Sequence, residues 1–262
     1  QIINPVQIEE LRKRHWDELT EDVSDRLWAI MGTALHNLLA GESQTENGDR
    51  SEERLTAEVG GVNVVGRTDL LDKHGTLTDY KYTSYWSATS IKPEWEAQCN
   101  LYAWLYANNG SEVVKLQIVA FLRDWMVSKV GEGVNYPKTQ IVVMPVPLWE
   151  RERTEAYVMD RVRAYNDASY RTDTDLPECS VEERWGKAEY WQVSAGRAKP
   201  RFFSDERNAA DYAKEKNLKV EKKGGMYMRC LKYCPVSRFC SQLKRARDAG
   251  RAPVVDSEMA IG

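Results

Sequence analysis

Apolar positions recur at helical spacing over residues 26–40, RLWAIMGTALHNLLA, which predicts a buried helix carrying Gly32 and His36. The polar, glycine-containing stretch GESQTENGDRSEE reads as a loop. The pattern then switches to alternation with a period of two, predicting strands over 54–59, 62–71 and 76–82. A helix is expected over 92–108, with Pro93 suited to its first turn. Strands over 113–123 and 139–144 complete a mixed sheet, and a long amphipathic helix follows over 148–169. After RTDTDLPECS the character changes. Residues 189–203 look like a basic hairpin, 204–217 (SDERNAADYAKEKN) like a capped helix, and 218–229 like one or two short strands before CLKYCPVSRFC at 230–240.

Composition narrows the class. The 262 residues suffice for one large domain, or a core domain with a smaller attachment. With 42% hydrophobic and 29% charged residues, the chain is expected to be an ordinary soluble protein. Its apolar runs are too short to cross a bilayer and no signal segment opens it, so a cytoplasmic location and no membrane partner are expected. The net charge of −3 hides an asymmetry: residues 1–180 carry 19 Lys/Arg against 29 Asp/Glu, whereas residues 181–250 carry 17 against 9. That second segment, at +8, suggests a local surface for a polyanion, although charge alone favours a pair of solvated faces.

The stretch GRTDLLDKHGTLTDYK, residues 66–81, carries the most chemistry. A three-residue loop at Lys73-His74-Gly75 pairs 71 with 77 and 70 with 78, which puts Asp69 opposite Asp79, with Lys81 on the same face. Facing carboxylates destabilise a sheet unless a divalent cation lies between them. A surface pair neutralised by Arg67 or Lys81 is the plainer alternative. On the next helix Gln98 and Tyr102 are four apart and share a face.

Taken in order, Gly32-x-x-x-His36, Gly66-x-x-Asp69, Asp79-x-Lys81 and Gln98-x-x-x-Tyr102 resemble the PD-(D/E)XK nuclease superfamily. Within it the sequence is most similar to the RecB-like branch, which includes phage-type exonucleases and the nucleases of CRISPR adaptation. The resemblance extends over about residues 26–240. It implies a restriction-endonuclease-like α/β core and a Mg²⁺ or Mn²⁺ site made by His36, Asp69, Asp79 and the backbone carbonyl of Tyr80. It also implies Lys81 as the catalytic lysine, with Gln98 and Tyr102 contacting DNA or organising the site. The second acid is Asp79 where the pattern more commonly has Glu.

Cys230, Cys234 and Cys240 cluster late in the chain, and Cys179 precedes the basic segment. Their spacing suits a structural zinc site if Cys179 supplies the fourth ligand. The same resemblance favours an iron–sulfur cluster, with structural zinc as the alternative. Cys99 reads as a buried small hydrophobe. The expected organisation is therefore a nuclease core over 1–179, a small basic α+β module over 180–240 closed by the cysteines, and a basic helix and tail over 241–262. DNA contacts are expected at Lys222, Lys223, Lys244 and Arg245. The expected function is a metal-dependent DNA exonuclease of bacterial or phage recombination, with DNA as substrate and a single-strand annealing or recombination protein as partner. Two other readings are a non-catalytic nucleic-acid binder on a nuclease-like fold and a metal hydrolase of nucleotides. A binder would not need the Asp69, Asp79 and Lys81 set.

Overall fold

The structure, a computed structural model, describes residues 2–20, 23–42, 48–131, 136–186, 190–194, 200–223 and 227–248. It divides into two compact units. The first comprises residues 1–4 and 20–167, and the second residues 5–19 and 168–262.

The first unit is built on a five-stranded mixed sheet of order β1-β4-β5-β6-β7. Its strands are β1 (Arg50–Ser51), β4 (Leu70–Leu71), β5 (Thr76–Thr83), β6 (Lys115–Leu122) and β7 (Ile141–Val146). β5 and β6 run parallel, joined by the crossover helix α3 (Pro93–Asn108), while the remaining pairs are antiparallel. β6 alternates strictly, burying Leu116, Ile118, Ala120 and Leu122. These side chains meet Leu77, Leu105, Val158 and Val162 in one core, the last two from α4 (Arg151–Ser169). β2 (Arg54–Val59) and β3 (Val62–Arg67) form a separate hairpin.

Two expectations are corrected here. The strand predicted over 62–71 is broken, because the buried Thr68 leaves both sheets to hydrogen-bond Glu53 and the hydroxyl of Tyr106 at 2.8 Å. The helix predicted over 26–40 forms, as α2 (Leu27–Glu42), but it is not buried. Leu27, Trp28, Ile30, Met31 and Leu38 remain 44–70% exposed. One stripe of α2, including Met31, Ala34 and Leu35, borders a pocket with Tyr82, Phe121 and Ile141. Apolar periodicity predicts a helix, but it does not report whether a further layer covers the outer side.

The second unit contains α1 (Val6–Arg14), a three-stranded antiparallel sheet and two short helices. The sheet has order β10-β8-β9, with β8 at Tyr190–Ser194, β9 at Arg201–Phe203 and β10 at Lys219–Lys223. β8 and β9 pair antiparallel, as the basic hairpin requires, while residues 187–189 and 195–199 lie outside the described residues. Against the sheet packs α5 (Glu206–Lys216), its first turn capped by Asp205 accepting from the Asn208 amide. Ala209 and Ala213 bury onto Val193, flanked by Trp191 and Phe203. The last helix is α6 (Ser241–Asp248), and residues 249–262 lie outside the described residues.

Candidate functional site

The hairpin forms in the expected register, with Leu70 opposite Thr78 and Leu71 opposite Leu77. Gly75 takes the left-handed conformation at φ +80°, which its missing Cβ allows. The ladder stops one step before the acids. Asp69 lies beyond the end of β4, where its carbonyl accepts from the Glu52 amide at 3.0 Å and its Oδ2 from the Tyr80 amide at 2.7 Å. One acid is thus anchored to backbone. The other, Asp79, lies within β5 and is 2% exposed.

Alternation along β5 sends Asp79 and Lys81 to the α3 face and Tyr80 and Tyr82 to the α2 face. Lys81 Nζ lies 2.7 Å from Asp79 Oδ2 and donates to Gln98 Oε1 at 3.0 Å. Gln98 in turn donates through Nε2 to the hydroxyl of Tyr102 at 2.9 Å. Four sequence-predicted residues therefore form one connected chain. Asp79 Oδ2 is buried and has the lysine charge beside it, yet accepts no hydrogen bond of good geometry. Burial raises the Asp79 pKa, and nearby Asp69 adds to the rise, outweighing the opposing pull of Lys81.

His36 reaches Asp69 from α2, Nδ1 to Oδ1 at 3.2 Å, and its ring meets Tyr80 edge-on. The hydrogen bond to Asp69 raises the His36 pKa above its ordinary 6.5, against the effect of burial. A residue absent from the sequence reading joins them. Ligand atoms of His36, Glu52 and Asp69 all lie within 4.8 Å of one another. Glu52 has φ +54°, and Arg67 Nε holds its Oε2 at 2.7 Å. No local pattern separates Glu52 from Glu53; the one available signal is its position just before β2, whose first residue, Arg54, pairs with Arg67 at the end of β3. Hard carboxylate oxygens with one imidazole suit Mg²⁺ or Mn²⁺, and an ionised Asp79 with an under-satisfied oxygen calls for added positive charge.

Gly66 accounts for the first position of its motif. A Cβ there would meet Leu105 Cδ1 at 2.5 Å and Tyr102 Cε1 at 3.0 Å, so any larger residue must displace these two side chains of α3.

In the second unit Cys179, Cys230, Cys234 and Cys240 line a common cavity. No three of their sulfurs lie within 4.8 Å of one another. Gln242 clamps the backbone of Cys179, accepting its amide at 3.0 Å and donating to its carbonyl at 2.9 Å. Burial raises the thiol pKa of Cys179, Cys234 and Cys230, the last to about 11, while Arg229 works against the rise at Cys230 and Cys234. Cys99 is buried on α3, as expected of a small hydrophobe.

The expected DNA contacts lie on two elements, β10 and α6. Lys222 is exposed, with Nζ 5.6 Å from the Trp191 ring, and the Lys223 side chain lies outside the described residues. Lys244 and Arg245 are exposed on α6, where Arg245 pairs with Glu178 at 2.7 Å.

Among the described residues no helix is long and apolar enough to cross a membrane. Among curated proteins none matches the chain. A solved structure described as "Crystal structure of SSO0001" is similar over 62% of this chain and 72% of its own, at 16% identity and a TM-score of 0.44. The family comparison reaches further. A model of the PD-(D/E)XK nuclease superfamily matches residues 4–241, a span that takes in the helix of His36, the hairpin of Asp69, Asp79 and Lys81, and all four clustered cysteines. The chain belongs to the PD-(D/E)XK nuclease superfamily.

Proposed function

We propose that the protein is a Mg²⁺- or Mn²⁺-dependent deoxyribonuclease of the RecB-like branch that degrades DNA from its ends. The observation that carries this reading is the buried Asp79–Lys81 contact at 2.7 Å beside the His36, Glu52 and Asp69 group. His36, Glu52, Asp69, Asp79 and the Tyr80 carbonyl would hold the cation. When bound, the cation supplies charge to a phosphate oxygen and makes water more acidic. Lys81 offers an ammonium to developing negative charge, and Gln98 fixes where that ammonium points. Tyr102 holds the Gln98 amide in the orientation this requires. The basic residues of the second unit, Lys222, Lys223, Lys244 and Arg245 among them, would supply phosphate contacts that hold DNA without reading its sequence. A place in recombination, beside a strand-annealing protein, suits such an activity.

The test is degradation of end-labelled linear DNA beside a covalently closed circle, with and without Mn²⁺, by the parent and Asp79→Ala. Mn²⁺-dependent loss of label from the linear form alone, absent in Asp79→Ala, is expected. Cutting of the circle would make the enzyme an endonuclease. Full activity of Asp79→Ala at saturating metal would reduce the acids to a solvated edge. Charge reversal at Lys222 with Lys223, or at Lys244 with Arg245, is expected to weaken DNA binding and flatten its salt dependence without changing Mn²⁺ affinity.

The four clustered cysteines are read as the ligands of a second centre, an iron–sulfur cluster before a single zinc. The support for this order is the resemblance to the RecB-like branch, in which cysteine-clamped clusters occur. Cationic Arg184 and Arg229 line the same cavity and would offset thiolate charge. Metal analysis of anaerobically purified protein tests this: Cys179→Ser should lower iron content, and Cys99→Ser should not.

A further inference from the structure

Gln7 is an unusual residue for the buried side of a short helix. It lies on α1, 1% exposed, in the wall of the cysteine cavity with Ile8 and Leu11. Its Oε1 accepts from the thiols of Cys179 at 3.6 Å and Cys240 at 3.5 Å. Its Nε2 is buried and has no partner. An unpaired buried amide group costs about 1–3 kcal/mol, so the fold bears a penalty to keep glutamine here. Leucine would fill similar space without it.

The orientation of the amide follows from the protonation of the sulfurs. As thiols, Cys179 and Cys240 donate, and the carbonyl oxygen faces them. Metal ligation needs thiolates, which can only accept. Oε1 would then face two anionic sulfurs. A half-turn about the terminal side-chain bond exchanges oxygen and nitrogen with little change of shape. The orphaned Nε2 then carries its two N–H groups to the sulfurs, and the repulsion becomes a pair of charge-assisted hydrogen bonds.

We propose that Gln7 is a hydrogen-bond donor to the metal-bound sulfurs of Cys179 and Cys240, and so a positioning residue of the cysteine centre. This rests on the reading of the four cysteines as metal ligands. Donors in this position hold ligating atoms in place and lower the energy of sulfur lone pairs, which governs both metal retention and the electronic character of the centre. It also gives α1 a part in the centre although it contributes no ligand to it.

The test uses the full chain, purified anaerobically with its metal, as the parent, Gln7→Leu and Gln7→Glu. One readout is the rate of metal loss to excess EDTA. The other is the energy of the thiolate-to-metal charge-transfer band, read directly for iron or after Co²⁺ replacement for zinc. Gln7→Leu is expected to lose metal about tenfold faster, the lower end for a lost outer hydrogen bond, and to shift the band to longer wavelength. Gln7→Glu, which sets an anion against thiolates, should lose metal faster still. Parent-like rates and band positions in both variants would overturn the inference. Faster loss with an unmoved band would overturn it too, since packing alone would explain that result. A parent containing neither iron nor zinc would overturn the cysteine centre itself, and the role of Gln7 with it.

Discussion

The ammonium of Lys81 donates to the side-chain oxygen of Gln98 at 3.0 Å, and this contact ties β5 to the crossover helix α3. Lys81→Ala removes the charge and is expected to lower the cleavage rate by about 100- to 1000-fold. Gln98→Leu leaves the charge but releases its direction, with an expected loss of about 10- to 100-fold. Initial rates on end-labelled DNA at saturating Mn²⁺ measure both. An equal loss in the two variants would mean that Gln98 acts on substrate directly and not through Lys81.

The metal group should answer to pH with a definite sign. His36 titrates above 6.5 because Asp69 stabilises its protonated form, and a protonated imidazole cannot bind a cation. Mn²⁺ affinity should therefore fall as pH drops through the raised His36 pKa. In His36→Ala affinity should be weaker throughout and flatter with pH. Calorimetric titration above and below pH 6.5 measures this. Glu52→Ala should also weaken Mn²⁺ binding, whereas Glu53→Ala, whose carboxylate pairs with Arg50, should not.

Gly66→Ala should be costly although it adds one methyl group. The new Cβ would meet Leu105 at 2.5 Å and Tyr102 at 3.0 Å, an overpacking that destabilises by about 1–3 kcal/mol. A urea denaturation midpoint reads the loss. Because Tyr102 is one of the side chains displaced, activity should fall at temperatures where the variant is still folded.

The second unit has its own pH signature. His15 bridges Glu18 and Asp173, each at 2.7 Å, and stacks on Phe239 with ring centroids 3.9 Å apart. Hydrogen bonds to Glu18 and then Asp173 raise its pKa above 6.5. The stabilisation is therefore fully present below pH 6.5 and is lost as pH rises through the folded-state value. Asp173 is shifted down by the same hydrogen bond and by Arg14, so its share persists until pH falls below 3.8 and toward the lowered folded value. Melting temperatures across this range should decline on the alkaline side in the parent, and His15→Gln should flatten that decline.

The hairpin of β4 and β5 was legible because two local signals agree. Alternation fixes which side chains share a face, and the turn at Gly75 fixes the register. The detachment of Asp69 from the ladder was not legible, since it depends on Thr68 turning toward Tyr106, 38 residues away in the chain. Glu52 escaped notice for a related reason: only the pairing of β1 with β4 brings its loop to His36 and Asp69. The exposure of α2 is a different kind of miss. Its composition promises burial, and only the tertiary arrangement reveals how little covers it among the described residues.

The split of the second unit along the chain has a consequence for its biosynthesis. Arg14, at the end of α1, donates at 2.8 Å to the carbonyl of Ala168, 154 residues further on. At synthesis rates of about 5–20 residues per second, roughly 8 to 30 s of translation separate the two. Throughout that interval Val6, Ile8 and Leu11 have emerged before most of the unit that buries them exists. All four clustered cysteines are also still to be made, so any metal held by them must arrive after the core strands have been synthesised. The nascent chain thus passes through a stage with the His36, Asp69, Asp79 and Lys81 set complete and its cysteine-bearing unit unfinished.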